Sequence, residues 1–135
     1  MPDRARRPAR RPRRDAPPRR APTARKGRLS PGRDLRLCLT SVPAPHARRL
    51  AQLLVGARVA ACVSVLAGAE SVYRWKGKVE RAAEALLLVK ASAKSLPGCI
   101  ALLSEAHPYE VPEIVVVTPT LVGAAYVAWV QAETR

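Results

Sequence analysis

The sequence predicts an α+β protein of the ferredoxin-like βαββαβ type, with an antiparallel sheet, helices on one face and a short C-terminal helix. Apolar runs of strand character alternate along the chain with segments of helical period. A tight Lys76-Gly77 turn separates the second and third strands. The resulting order, strand–helix–strand–strand–helix–strand, is that of the split βαβ arrangement.

The first strand and first helix follow from periodicity. Residues 35–39 alternate Leu with Arg or Cys, which predicts a short strand. Residues 47–54 place apolar side chains at i, i+3, i+4 and i+7, the pattern of a helix with one buried face. Pro45 fits the first turn of this helix, and Gly56 is a suitable residue to end it.

The middle of the chain predicts a hairpin. Residues 59–66 are small or β-branched, as in a buried strand, and a bend at 67–68 separates them from an extended segment at 71–75. Gly77 can adopt positive φ in the turn, after which the next strand runs from about residue 78 to residue 89.

The last third predicts a helix, a strand and a second helix. Ser92 or Ser95 can cap a helix that ends before Pro108. Residues 114–118 contain four β-branched aliphatic side chains and a Thr, the clearest strand pattern in the chain. The final helix places apolar side chains on one face, at Val122, Tyr126, Trp129 and Val130.

Self-association is predicted because helices on one face leave the other face of the sheet uncovered. The 59–66 segment is apolar at nearly every position, so both of its sides require burial. A second copy of the chain is the simplest cover for so small a domain.

The N-terminal residues 1–33 form an Arg/Pro-rich tail ahead of a domain at residues 34–135. Residues 1–36 contain 14 Lys or Arg and 3 Asp, with no aromatic side chain, and this composition predicts disorder. Guanidinium clusters attract phosphates, so non-specific nucleic-acid binding is one interpretation of the tail, and a merely solvated extension is the other. The chain has no apolar run long enough for a membrane span. Its three widely spaced cysteines suit a reducing cytoplasm.

Two short blocks, residues 71–78 and 107–113, concentrate aromatic and ionisable side chains in a chain that is otherwise rich in Ala, Val and Leu. The imidazole of His107 suits Cu²⁺ or another divalent cation, and Glu110 and Glu113 can add carboxylate ligands. The alternative interpretation of His107 is a residue that caps a helix C-terminus.

The other residues of these blocks also allow two interpretations. Tyr73 and Trp75 share one strand face, where they either pack at a subunit interface or wall a cleft between subunits. The basic residues nearby either form a solvated edge or surround an anion site. The sequence contains no recognised catalytic motif, which argues against an enzyme. A small hydrolase of the acylphosphatase type is a further alternative on this fold, but its chemistry relies on an Arg and an Asn, and the chain contains no Asn.

Residues 37–135 resemble the CutA family of divalent-cation tolerance proteins. Six blocks match in order and spacing, namely Thr40, 59–63, 71–78, 88–90, 107–114 and 126–129. The resemblance implies a ferredoxin-like fold and a tight homotrimer of cytoplasmic, non-enzymatic subunits that bind or respond to copper and other divalent metals. The alternative function is a ligand-responsive signalling module like the PII regulators. The residues assigned to a ligand cleft between subunits are Tyr73, Trp75, Lys76, Lys78, Lys90, Tyr109 and Trp129.

The resemblance carries over only part of a copper site. Copper binding in bacterial relatives is associated with a Cys in the first strand and with a His pair ahead of a Pro-Tyr dipeptide. This chain has Leu39, Ala106 and His107 at those positions, so only His107 matches.

Overall fold

A computed structural model describes residues 26–135, which form a four-stranded antiparallel sheet, a two-stranded sheet and three α-helices. The strands are β1 (Leu29–Pro31), β2 (Leu35–Pro43), β3 (Cys62–Trp75), β4 (Lys78–Ser92), β5 (Val115–Val117) and β6 (Leu121–Gly123). The helices are α1 (Ala44–Gly56), α2 (Leu96–Ala106) and α3 (Ala124–Glu133).

The main sheet confirms the predicted ferredoxin-like arrangement. Its strand order is β3-β4-β2-β5, and every neighbouring pair is antiparallel. Helices α1 and α2 bury their apolar sides against one face of the sheet. The largest fully buried apolar side chains of this core are Leu50, Leu54, Leu87, Leu103, Val42 and Val89.

The β3–β4 hairpin is longer than the sheet it belongs to. The predicted segments 59–66 and 71–75 fall in one strand, which begins at Cys62 rather than at residue 59. A bulge between Leu66 and Ala69 interrupts this strand, and Gly68 has a φ of 80° there. Pairing with β2 ends at Glu84. Residues 70–83 are therefore a two-stranded extension of the sheet, which we call the hairpin arm.

Helix α3 covers part of the opposite sheet face. It buries Val127 and Val130 against Leu35, with Leu37 packed alongside. These two leucines lie on the other side of β2 from Cys38, because alternate strand residues point to opposite faces. Many apolar side chains elsewhere on the sheet remain exposed, including Val65, Leu66, Val72, Val79 and the three valines of β5.

Strands β1 and β6 pair with each other and were not predicted. The Gly32 N–H donates to the Thr120 carbonyl at 3.1 Å, and the Ala124 N–H donates to the Arg28 carbonyl at 2.8 Å. Strand β1 and these contacts lie ahead of residue 34, the predicted start of the domain. The rest of the predicted disordered tail, residues 1–25, lies outside the described residues. Among residues 26–135, no helix is long and apolar enough to cross a bilayer.

Candidate functional site

A pocket of about 430 Å³ lies between the hairpin arm and the loop that follows α2. Strand β2 and the start of the sheet-paired part of β4 close its base. The lining residues are Ser41, Ser71, Tyr73, Trp75, Glu84, Tyr109, Glu110, Val111 and Glu113. Tyr73, Trp75, Tyr109, Glu110 and Glu113 were predicted as site residues, and the structure brings them together.

The hairpin arm supplies one wall of the pocket. Ser71, Tyr73 and Trp75 are spaced by two along β3, so all three side chains point to the same face. The two rings are 43% and 44% exposed, so their faces are open to a ligand. The turn holds this geometry with two residues at positive φ, Lys76 at 47° and Gly77 at 80°.

The opposite wall of the pocket is the loop after α2, and His107 lies at the start of this loop without lining the pocket. It is the C-cap residue of α2, and its N–H donates to the Leu103 carbonyl. The Tyr109 N–H donates to the ring Nδ1 at 3.1 Å, so the ring proton is on Nε2. Nε2 is 3.0 Å from the Ser41 carbonyl and 3.1 Å from the Thr40 hydroxyl oxygen. Burial lowers the pKa of His107, which keeps the imidazole neutral.

These contacts bear on the metal site predicted at His107, Glu110 and Glu113, which stays a prediction. Both imidazole nitrogens of His107 form hydrogen bonds inside the protein, which leaves no lone pair free for a metal. His107 also does not line the pocket. Within residues 26–135, no three His, Cys, Asp or Glu side chains lie close enough together to hold a metal ion. The position of His107 at the C-cap of α2 matches its alternative interpretation as a residue that caps a helix C-terminus.

Tyr109 and Glu84 form the polar centre of the pocket. The Tyr109 hydroxyl donates to Glu84 Oε2 at 2.7 Å. Burial and this hydrogen bond to a carboxylate raise the pKa of Tyr109 to about 12, so the hydroxyl remains a donor at neutral pH. The Tyr109 ring also contacts the His107 ring, with 5.1 Å between their centres. The loop and the central strand β4 are thereby connected.

The pocket is acidic. Glu84, Glu110 and Glu113 all line it, and among residues 26–135 no Lys, Arg or His does. The Ser41 hydroxyl donates to Glu113 Oε2 at 2.6 Å, which positions that carboxylate at the rim. Three carboxylates beside three aromatic rings favour a cation, because both carboxylates and ring faces attract positive charge.

The basic residues predicted to surround a cleft lie elsewhere. Lys76 and Lys78 are at the tip of the arm and do not line the pocket. The Lys90 ammonium donates to the Ser64 hydroxyl and lies 3.6 Å from Cys62 Sγ. Trp129 is on α3, where it packs with Tyr126 and the second apolar cluster. The prediction concerned a cleft between subunits, and it stays a prediction.

Sequence reasoning missed Glu84, Ser41 and Ser71. The signal for Glu84 was present, because it is a charged residue directly before an apolar run in a central strand. It is only 5% exposed, and a buried carboxylate requires a partner. Ser41 and Ser71 carried no comparable signal, since a Ser in a strand is usually just solvated.

A family profile described as "CutA1 divalent ion tolerance protein" matches residues 36–133, which include the main sheet except for Leu35, all three helices and every lining residue of the pocket. The chain belongs to the CutA1 family. The resemblance seen in the sequence is thereby confirmed.

Individual relatives agree with this assignment. The divalent-cation tolerance protein CutA of Thermus thermophilus is 39% identical over 97 residues, which cover 71% of this chain and 94% of that protein. CutA of Pectobacterium atrosepticum is 37% identical over 89 residues, covering 66% and 81%. The solved structure of CutA from Synechococcus elongatus superposes with a TM-score of 0.76 at 36% identity, covering 81% of this chain and 97% of that one.

Proposed function

We propose that this protein is a non-enzymatic, homotrimeric binding protein of the cytoplasm that responds to a small cationic ligand held in the acidic pocket. The observation that carries this proposal is the pocket lining, in which the described part of the chain places three carboxylates and three aromatic rings but no basic side chain. An ammonium group can lie against a ring face while its N–H groups donate to a carboxylate. Hydroxyl groups on the ligand can bond to Ser41 and Ser71.

Two solved relatives support a ligand-responsive module. A structure of CutA from Synechococcus elongatus, 36% identical with a TM-score of 0.72, is a complex with Bis-Tris, a polyhydroxylated amine. CutA from a Nostoc species, 35% identical with a TM-score of 0.69, is described as PII-like. Together with the pocket chemistry, they favour a hydroxylated amine over an anionic nucleotide.

Direct binding of a divalent cation such as Cu²⁺ is the second candidate. The family description concerns tolerance of divalent ions, and carboxylate oxygens are suitable ligands for hard cations. Glu110 and Glu113 can supply such oxygens, whereas the ring nitrogens of His107 are occupied. The remaining ligands would have to be water or come from another molecule, because residues 26–135 alone do not form a three-residue metal site.

The proposal of a trimer is based on the apolar surface that the single chain leaves exposed. Val65, Leu66, Val72 and Val79 are 43–64% exposed in the single chain. Such side chains on neighbouring long strands favour a protein partner, and a second copy of the chain is always available. Sedimentation equilibrium is expected to give three times the chain mass, and a monomer at micromolar concentration would contradict the homotrimer.

Calorimetric titration of the full chain tests the ligand class. We expect Bis-Tris to bind, ATP not to bind, and a Glu110→Gln/Glu113→Gln double variant to lose at least about tenfold in Bis-Tris affinity, since each carboxylate hydrogen bond contributes about 1.5–3 kcal/mol. The matched control is Glu105→Gln, an exposed carboxylate on α2 outside the pocket. Equal affinities of the double variant and the control would refute the pocket assignment.

The same titration with Cu²⁺, Zn²⁺ and Mg²⁺ separates the two candidates. If metals bind through the pocket, the double variant weakens their binding and His107→Gln does not. If His107→Gln alone abolishes Cu²⁺ binding, a histidine site operates and the structural role assigned to this residue is wrong.

A further inference from the structure

Cys62 and Lys90 lie side by side on the two strands of the long hairpin. They are directly paired in the register of β3 and β4. Lys90 Nζ is 3.6 Å from Cys62 Sγ and also donates a hydrogen bond to the hydroxyl of Ser64, the next residue along the same face of β3. The contact between the thiol and the amine lies within one chain, so every subunit of an oligomer contains it.

The three cysteines of the chain differ in their access to small reagents. Cys38 and Cys99 are fully buried in the core between the sheet and helices α1 and α2. Burial raises the pKa of Cys38, and burial together with the nearby Cys38 thiol raises the pKa of Cys99 to about 12. Cys62 is only partly buried. Because peroxides react with accessible thiolates, we expect Cys62 to be oxidised before the other two cysteines.

A disulfide between Cys62 and another cysteine of the same chain does not fit the geometry of the sheet. Val63 packs against the core that contains Cys38, so Cys62 points to the opposite face. Strand β4 also lies between β3 and β2, which puts the Cα atoms of Cys62 and Cys38 about 10 Å apart, whereas a disulfide needs less than about 7 Å. Cys99 belongs to the same core as Cys38. Once oxidised, Cys62 therefore meets the amine of Lys90 rather than a second thiol.

We propose that Cys62 and Lys90 form a reversible, peroxide-sensitive modification site, in which the Lys90 amine captures oxidised Cys62 as a sulfenamide. This site is separate from the acidic pocket, because neither residue lines that pocket. A sulfenamide protects Cys62 from further oxidation to a sulfinic acid, which ordinary thiols do not reduce.

The reaction has an oxidation step and a condensation step. Hydrogen peroxide removes an electron pair from Cys62 Sγ, which becomes a sulfenic acid while the peroxide is reduced to water. The Lys90 ammonium then loses a proton to solvent, and the lone pair on Nζ attacks Sγ. The S–N bond forms as the S–O bond breaks, and the hydroxyl leaves as water with a proton from Nζ. A small thiol in excess reverses the bridge, since it returns the Cys62 thiol and the Lys90 amine and is itself oxidised to a disulfide.

The experiment treats the full chain, folded and in its own oligomeric state, with hydrogen peroxide. Mass spectrometry then measures the denatured chain and its proteolytic peptides without reductant. We expect the mass of the chain to fall by the mass of H₂ and a peptide pair linked through Cys62 and Lys90 to appear. Dithiothreitol is expected to restore the starting mass, and Cys38 and Cys99 are expected to stay unmodified in the folded protein.

Lys90→Arg is the matched variant. A guanidinium group keeps the charge and can still donate to Ser64, but it stays protonated and does not attack sulfur. In this variant we expect a sulfenic acid at Cys62 that dimedone traps, followed by a sulfinic acid that dithiothreitol does not reverse. Cys62→Ser is expected to give neither the bridge nor these acids at position 62.

Two results would overturn the proposal. One is the same oxidised species at Cys62 in the parent and in Lys90→Arg. The other is a Cys62 that stays reduced in the folded parent under conditions that oxidise it in urea. Thermal denaturation of the untreated proteins verifies that the variants are folded. If Lys90→Arg does not fold, the presence or absence of the linked peptide in the parent decides the question by itself.

Discussion

The Tyr109 hydroxyl donates a 2.7 Å hydrogen bond to the carboxylate of Glu84, and this bond connects the loop after α2 to the central strand β4. Glu84 is 5% exposed, so its carboxylate has little access to water as an alternative partner. The bond therefore contributes to the stability of the domain as well as to the shape of the pocket.

Replacing Tyr109 by Phe is expected to lower the free energy of unfolding by about 1–3 kcal/mol, because it leaves a buried carboxylate without its donor. Urea denaturation measures the loss. The control is Tyr73→Phe, which keeps a 43% exposed ring and should change stability by less than about 0.5 kcal/mol. Equal effects of the two variants would show that the Tyr109–Glu84 bond is replaceable by solvent.

The neutral imidazole of His107 makes stability depend on pH. Burial lowers the pKa of His107 in the folded state, so below about pH 6.5 the unfolded chain binds more protons than the folded one. The free energy of unfolding is therefore expected to fall as the pH drops below that value and to be level with respect to this residue above it.

Urea denaturation between pH 5 and pH 7.5 measures this dependence, with His107→Gln compared against His46→Gln. The His107 variant should have a flatter profile, whereas the His46 variant should keep the parent profile. A parent-like slope in His107→Gln would assign the pH dependence to other groups. Nitrogen chemical shifts of the His107 ring should also report the Nε2–H tautomer.

Gly32 is expected to tolerate no side chain. A Cβ atom at this position would lie 2.0 Å from the Pro119 carbonyl oxygen, so β1 and the segment before β6 would have to separate. Gly32→Ala should cost about 1–3 kcal/mol, the usual range for overpacking. Gly56→Ala is the control, because a Cβ there meets nothing within 4 Å. Thermal denaturation of both variants makes the comparison, and a neutral Gly32→Ala would contradict the close approach.

Lys76 is strained in the turn of the hairpin arm, since its φ is 47° and it is not a glycine. Two-residue hairpin turns with both residues at positive φ favour Asn-Gly. Lys76→Asn is expected to raise stability by a few tenths of a kcal/mol, and Lys76→Val to lower it by about 1–2 kcal/mol because β-branched residues fit this region poorly. The midpoints of urea denaturation rank the stabilities of the parent and the two variants. If the Val variant is as stable as the Asn variant, the positive φ assigned to Lys76 is wrong.

Periodicity and turn residues were sufficient to predict most of the main sheet. Pro45, Gly56 and the Lys76-Gly77 turn mark element ends through local backbone chemistry, which the sequence displays directly. The pairing of β1 with β6 was not predictable in this way. Each strand has three residues, and the two are about ninety positions apart in the chain. Neither segment shows the alternation that marks longer strands.

The types of residue in the site were predictable from the sequence, but the hydrogen-bond partners of these residues were not. The clustering of aromatic and acidic residues identified both walls of the pocket. Whether His107 binds a metal depends on which atoms surround its two nitrogens, and those atoms belong to Ser41 and to the Tyr109 backbone. The predicted ligand cleft also included Lys76, Lys78 and Lys90, and none of these lysines lines the pocket of the single chain.

The hairpin arm has a mechanical consequence for the pocket. Residues 70–83 extend beyond the last pair that β4 forms with β2, and a bulge at Leu66/Ala69 lies at their base. A two-stranded ribbon bends more readily than a full sheet, so we expect the arm to bend at the bulge near Gly68. Because Tyr73 and Trp75 are on the arm and Tyr109 is on the body, the width of the pocket depends on the angle of this bend. If the arm bends to close the pocket around a bound ligand, the tip of the arm at Gly77 is expected to move as well. Ligand binding would then displace a part of the protein surface outside the pocket.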